Sequence, residues 1–319
     1  MLVIYQESLD GEALFNELQC YIESKLSELL RKYGLPEDFI YILAFIESRY
    51  CRLKRLKEGL NSIINRIDND RLSRDTKSRL VEFVEKFINS NEISKLINLR
   101  ARILKELRRV FGNITILSNS KGADFMQCCG FMLADGSSCC TFDLTTGIQL
   151  NVILQTLGSV KVRFNTMYLR ASDFSVTLSL TAEPLDRELS RSLVEWRRRL
   201  LCSGDVGEFC GLDYWGWVRF FAGLFDGDGF VKVKHRYAVD VGVSCGADVK
   251  GRVVRKILEV GETLGLFVLG RYDVRSCKLY LRLCERTLRF LWDVVRFLNH
   301  SERRFKLERF LMHRMCMCS

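Results

Sequence analysis

The 319 residues contain no uninterrupted apolar run long enough to cross a bilayer, which excludes a transmembrane helix. The opening segment, MLVIYQESLDGE, lacks the basic start and long apolar core of a signal peptide. An intracellular protein is therefore expected, in the cytoplasm or on the nucleoid, with no membrane partner. There is no CxxC pair with a matching His or Cys partner, so the 13 cysteines give little support to a zinc site. Cys128, Cys129, Cys139 and Cys140 read as small buried apolar residues. Intracellular disulfides, or a metal held by Cys316 and Cys318, are the alternatives. No helix-turn-helix or zinc-finger pattern occurs. An acidic excess is also absent: Lys+Arg 49 against Asp+Glu 39 leaves a net charge of +10, which suits a polyanionic partner.

The length has room for two or three domains. From about Asp10 to Arg109 apolar residues recur at helical spacing, as in Leu14, Leu18, Ile22, Leu26 and Leu29. Breaks are expected at Gly34 with Pro36 and at Asp68–Ser73, and basic clusters stand at Arg52–Lys57 and Arg100–Arg109. An all-α N-terminal domain, 1–115, follows.

After Asn113 the period changes to two. Strands are expected at Ile148–Gln155, Val160–Asn165 and Phe174–Thr181, each with one apolar and one mostly polar face, then a helix at Leu185–Leu201. A second run of elements is more complete. It has a helix at Tyr214–Phe225, strands at Phe230–Arg236 and Ala238–Cys245, and a helix at Asp248–Leu264. Strands at Phe267–Arg275 and Lys278–Cys284 and a helix from Thr287 follow. The first run has no middle helix in this reading, only a turn at Leu157–Ser159. Domains of 116–204 and 205–319 result, and the fold class is α+β.

Two segments carry the chemistry. WVRFFAGLFDGDGFVKVK is an apolar helix ending in Asp226 and Asp228 among glycines, followed by a strand with alternating lysines. FMQCCGFMLADGSSCCTF repeats that shape and ends in Asp135 and Gly136. Two such helices can bring one carboxylate each to a common point, the arrangement that divalent-metal phosphodiester chemistry needs.

FAGLFDGDG resembles the signature of the LAGLIDADG homing endonucleases in six of nine letters, and CCGFMLADG in four: Gly130, Ala134, Asp135 and Gly136. The resemblance implies two pseudo-symmetric αββαββα-like halves forming a saddle-shaped antiparallel sheet surface. The motif helices would pack through Gly130, Ala222 and Gly223. Asp135 and Asp228 would be catalytic and hold Mg2+, a cation that suits carboxylates and waters where neither motif has a histidine. Asp226 would be a local cap or hydrogen-bonding residue, the alternative being support of the metal ligands. Gln155 and Lys232 are candidates for the Gln or Lys that family members place near the centre of each half, with an ordinary phosphate contact as the alternative. The polar strand faces would bind DNA through Gln149, Asn151, Lys161, Arg163, Lys232, Lys234, Arg236, Arg271, Arg275, Lys278, Tyr280 and Arg282. The implied function is a monomeric, magnesium-dependent, site-specific endonuclease of a mobile element, such as an intron. It would cut double-stranded DNA at an asymmetric target. The alternative is a nucleic-acid-binding derivative, an RNA maturase or regulator, without cleavage activity.

Overall fold

The computed structural model of the chain describes residues 2–6, 11–37, 39–47, 82, 93–120, 122–169, 176–235 and 238–316. The elements begin β1 (Leu2–Gln6), α1 (Gly11–Lys32), α2 (Phe39–Glu47), α3 (Ile93–Phe111) and β2 (Asn113–Ser118). Next come α4 (Phe125–Ala134), β3 (Phe142–Leu144), α5 (Gly147–Leu157), β4 (Val160–Leu169), β5 (Val176–Pro184) and α6 (Arg187–Ser203). The last group is α7 (Tyr214–Asp228), β6 (Gly229–His235), β7 (Ala238–Ser244), α8 (Val249–Thr263), β8 (Leu269–Asp273), β9 (Lys278–Leu281), α9 (Glu285–Val295) and α10 (Ser301–Cys316). The class is α+β, with one five-stranded sheet of order β1-β2-β4-β5-β3 and one four-stranded antiparallel sheet of order β6-β7-β9-β8. No helix among the described residues is long and apolar enough to cross a membrane.

Three expectations need correction. The N-terminal region carries a strand, β1, so it is not built of helices alone. Residues 148–155 form helix α5, not a strand. The alternation of Ile148, Leu150, Val152 and Leu154 concealed a second pattern, Leu150, Ile153, Leu154 and Leu157, which is the buried stripe of a helix. Its ends were also marked: the Thr146 side chain accepts from the Gln149 amide, and Gly158 closes the helix at φ +75°. The middle helix judged missing is thus present, while the first hairpin is reduced to β3 and a single bridge, Gly136 to Phe142. Finally, β5 is not covered on one face only, because Thr177, Leu178, Ser179 and Leu180 are all buried. The break at Asp68–Ser73 and the cluster Arg52–Lys57 lie outside the described residues.

The chain divides into two compact units. The first comprises Met1–Leu2, Ala13–Ile114 and Val162–Thr181. Its buried residues are the α1 stripe (Leu14, Leu18, Ile22, Leu26), Phe39 and Leu43 of α2, and Ile103, Leu107 and Phe111 of α3, and the Tyr21 and Phe111 rings meet at 6.0 Å. After α1, Gly34 at φ +67° lets the Leu35 amide return to Leu30 O at 2.9 Å, the turn that Gly34 and Pro36 announced. Arg108 donates to Asn165 O, and Arg100 to Leu43 O and the Thr166 hydroxyl. Those two members of the basic cluster thus tie the unit together.

The second unit comprises Val3–Glu12, Thr115–Lys161 and Ala182–Ser319. Its centre is the pair α4 and α7, which carry buried residues on every side, as helices inside a core do. A Cβ on Gly130 would strike Phe220 O, and one on Gly223 would strike Gln127 O, both far inside contact distance. Gly130 and Gly223 therefore let the two backbones touch, and Ala222 is fully buried beside them. In the four-stranded sheet, Val241, Val243, Leu279 and Leu281 form the buried face. Asp N-caps start α4, α7 and α8: Asp124, Asp213 and Asp248 each accept a backbone N–H of the first turn.

Replacing Gly223 by Ala forces the α4–α7 contact apart and lowers the unfolding free energy by about 1–3 kcal/mol, the usual range for overpacking. Gly211→Ala, where a Cβ meets nothing within 4 Å, is the control and stays within about 0.5 kcal/mol of the parent. Urea denaturation followed by circular dichroism measures both.

Candidate active site

Both motif helices end in an aspartate. Asp135 is the C-cap of α4, and Asp228 is the last residue of α7. Because Gly227 has no side chain, the Asp135 carboxyl can lie against it: a Cβ there would be 3.3 Å from Asp135 Cγ. The two carboxylates are thus neighbours at one end of the helix pair. Each also sits at a helix C-terminus, where the backbone dipole already favours positive charge. Although solvent reaches the outer edge of Asp135, partial desolvation and then the Asp228 charge push its pKa up to about 6. Burial also raises Asp228, against the opposing pull of Lys250.

Two cations answer this charge. Lys250, near the start of α8, places Nζ 3.2 Å from Asp228 Oδ2 and donates to Ala134 O. Arg303 of α10 donates through Nη1 to Phe225 O, Asp226 O and Gly227 O, closing the carbonyl end of α7. Burial lowers the Arg303 pKa, and Asp135, Asp226 and Asp228 oppose that shift. Neither residue lies in a motif, and the sequence reading passed over both. The signal for Lys250 was its place two residues beyond a helix cap; Arg303 left none.

Asp226 is a hydrogen-bonding residue, but not a local one. Its carboxylate is 3% exposed and accepts the Asn299 and His300 amides at 3.0–3.1 Å, anchoring the chain that leads into α10. Burial pushes its pKa up to about 7 despite those bonds. Burial and the neighbouring Arg303 depress His300 to about 4, leaving a neutral ring whose Nδ1 accepts the Arg303 amide. Beside Asp135 lies a cavity of about 280 Å³, lined among others by Asp143, Ile148, Gln149, Glu302 and Arg303.

Gln149, Asn151 and Gln155 belong to helix α5, not to a strand face. The Gln149 side-chain oxygen accepts from the amide and hydroxyl of Thr145, and Gln155 donates to Asn151 one turn away. Gln155 therefore does not stand on a central strand as expected. Lys161 on β4 makes a 3.7 Å ion pair with Glu183, and Arg163 on the same strand is exposed.

The second sheet fits its expected face better. Cross-strand partners share a face, and the register pairs Lys232 with Asp240, Phe230 with Gly242, Gly242 with Tyr280, and Ser244 with Lys278. Opposite the apolar side, therefore, stand Phe230, Lys232, Lys278 and Tyr280. The Phe230 and Tyr280 rings meet edge-on at 5.3 Å. Lys278 Nζ lies 5.1 Å from the Phe230 ring centre, and the Arg271 guanidinium 4.5 Å from that of Tyr280. Arg271 also pairs with Asp240 at 3.8 Å. Phe230 and Asp240 were missed as members of this face. Arg275 falls in the β8–β9 turn, not on a strand, because Asp273 accepts its amide and ends β8. Arg282, just past β9, is exposed. Lys234 lies on β6, and Arg236 is outside the described residues.

All cysteines whose side chains are described are free thiols. Cys128, Cys129 and Cys140 are buried, and burial raises their pKa values, that of Cys128 to about 12. Cys139 is exposed, unlike the expectation. The Cys316 and Cys318 side chains lie outside the described residues. Among the described residues no group of three or more His, Cys, Asp or Glu side chains converges as a metal cage. Two adjacent carboxylates with water-accessible space beside them do suit a hard divalent cation that keeps several waters.

Compared with known proteins, the chain matches no protein-family model and no curated protein sequence.

Asp135 binds its proton more tightly folded than unfolded, where the ordinary value is 3.8. Its ionised form therefore costs stability above pH 6, and the cost fades as pH falls toward 4. Asp135→Asn should raise the melting temperature at pH 8 and have little effect at pH 4. Solvent screening keeps the gain within about 1 kcal/mol. Calorimetry across that range, without divalent cations, measures it.

Proposed function

We propose that the protein is a metal-dependent, site-specific double-strand DNA endonuclease of the LAGLIDADG homing type, acting as a monomer. The observation that carries this reading is the pair of helices packed through Gly130 and Gly223 with Asp135 and Asp228 at their common end. The element order supports two related halves, 116–204 and 205–319. α4, β3, α5, β4, β5 and α6 run in the same sense as α7, β6, β7, α8, β8, β9 and α9, with one hairpin strand reduced.

Asp135 and Asp228 would hold magnesium, which when bound activates water and neutralises charge on the phosphate. Lys250 takes the role first sought in Lys232 and Gln155: an ammonium fixed beside a ligand carboxylate, where it can stabilise charge developing on a phosphate. Arg303 ties up three helix-end carbonyls that would otherwise repel the same phosphate. Phe230, Lys232, Arg271, Lys278 and Tyr280, with Arg282 beside them, present cations and aromatic edges for a duplex groove. The first half offers fewer charges, so its target half-site would differ.

The second reading is a nucleic-acid binder without cleavage. One observation favours it: Lys250 forms an ion pair with Asp228 and can balance its charge in the place of a cation. A cleavage assay on duplex libraries with and without magnesium decides between the two. On the endonuclease reading, Asp228→Asn and Asp135→Asn each abolish double-strand cleavage while binding persists. Binding without cleavage by the parent protein supports the second reading.

The basic face has its own test. Neutralising Lys232, Lys278 and Arg282 should flatten the slope of log affinity against log salt by roughly 0.9 for each phosphate no longer neutralised by the protein. Neutralising Lys25 and Arg31 on α1 should leave it unchanged. Equal slopes would remove the sheet as the principal DNA surface.

A further inference from the structure

Two cysteines outside the candidate site stand opposite each other. The antiparallel ladder of β7 and β9 pairs Gly242 with Tyr280, Val243 with Leu279 and Ser244 with Lys278. Continued by one step, that register sets Cys245 against Cys277, and the Cys245 amide donates to Cys277 O at 2.7 Å. Hydrogen-bonded partners in such a ladder hold their Cα atoms about 5.5 Å apart, within the span that a disulfide bridges. Both residues are free thiols, Cys245 buried and Cys277 partly exposed.

Local structure does not account for a cysteine at 277. It closes the β8–β9 turn at φ +51°, a left-handed conformation that glycine or asparagine adopts at lower cost. Nor is it a core residue, since solvent reaches its side chain. Its Sγ lies 3.6 Å from Val274 O and beside Tyr272, over whose ring the Arg255 guanidinium sits at 4.6 Å. Cys245 has the opposite surroundings. Burial and then the Asp228 charge push its pKa up to about 12, while Arg255 and Lys250 pull toward the thiolate. One sulfur is thus open to a reagent, and its partner is sheltered behind it. Cys128 and Cys140 also lie near each other, but both are fully buried, beyond the reach of a reagent.

We propose that Cys245 and Cys277 form a reversible disulfide when the protein meets a small-molecule disulfide such as oxidised glutathione. The Cys277 thiolate attacks one sulfur of that reagent, which forms a mixed disulfide and releases one small thiolate. The Cys245 thiolate then attacks the Cys277 sulfur, so that the protein S–S bond forms and the second small thiolate leaves. The two protein thiols lose two electrons and two protons, and the reagent becomes two thiols. The bridge joins residues 32 positions apart and ties the β8–β9 turn to the end of β7. Asp248, which caps α8, stands three residues beyond Cys245, and Lys250 two residues further. The bridge therefore also fastens the segment that holds Lys250 against Asp228. It forms whether or not the protein cleaves DNA.

The test equilibrates the full chain in mixtures of reduced and oxidised glutathione, quenches with acid, and alkylates the remaining thiols after unfolding. Mass spectrometry of the peptides reads each cysteine. In excess oxidised glutathione, Cys245 and Cys277 should lose their alkylation together and appear as one peptide pair joined through both. The melting temperature should rise by about 5 °C, and hydrogen exchange in the first turn of α8 should slow. Dithiothreitol should reverse all of these changes. Cys277→Asn, which suits the left-handed φ, should keep the fold but lose the bridge and the thermal shift, whereas Cys139→Ser should keep both. A glutathione adduct on Cys277 with Cys245 still open to alkylation overturns the proposal. So does a melting temperature that rises equally in Cys277→Asn.

Discussion

The second unit depends on the direct contact between the α4 and α7 backbones. Gly130 and Gly223 remove atoms that would hold these helices apart, and each faces a carbonyl of the other helix. Everything at the candidate site follows from this contact. It places Asp135 against Gly227, sets two carboxylates at a shared helix end, and creates a local excess of negative charge. The helix dipoles increase that excess, since both helices point their carbonyl ends the same way.

The surrounding elements deal with that charge in different ways. Lys250 meets Asp228 directly, whereas Arg303 meets the carbonyls of α7. Asp226, two residues before Asp228, is satisfied by backbone amides and holds the entry to α10, which in turn fixes Arg303. A buried carboxylate thus serves to position a cation near the exposed ones. The Asn299 side chain extends the same network by donating to Thr156 Oγ1 at the end of α5.

Much of the second half could be read from residues 205–319 alone. Its strands β6, β7 and β9 alternate and α7 and α8 begin at Asp caps, so pattern and structure agree there, while β8 is shorter than expected and leaves Arg275 in the turn. The first half was less legible for a specific reason. In residues 148–155 both periods were satisfied at once, and Ile153 on the supposed polar side was the residue that favoured the helix. β5 was misread for a different reason. Thr177 and Ser179 are polar yet buried, so their chemistry suggested a face that packing closed.

The sequence by itself determined the motif helices, the aspartates that end them, the glycines that let them touch, and the polar face of the second sheet at Lys232, Lys278 and Tyr280. These features depend on neighbours a few residues away: caps, turns and periodicity act locally and leave a local trace. Only the tertiary structure decided which cations accompany the carboxylates. Lys250 lies 22 positions beyond Asp228 and Arg303 lies 75 beyond, and no periodic pattern links residues so far apart. Their proximity comes from how α8 and α10 pack around the helix pair.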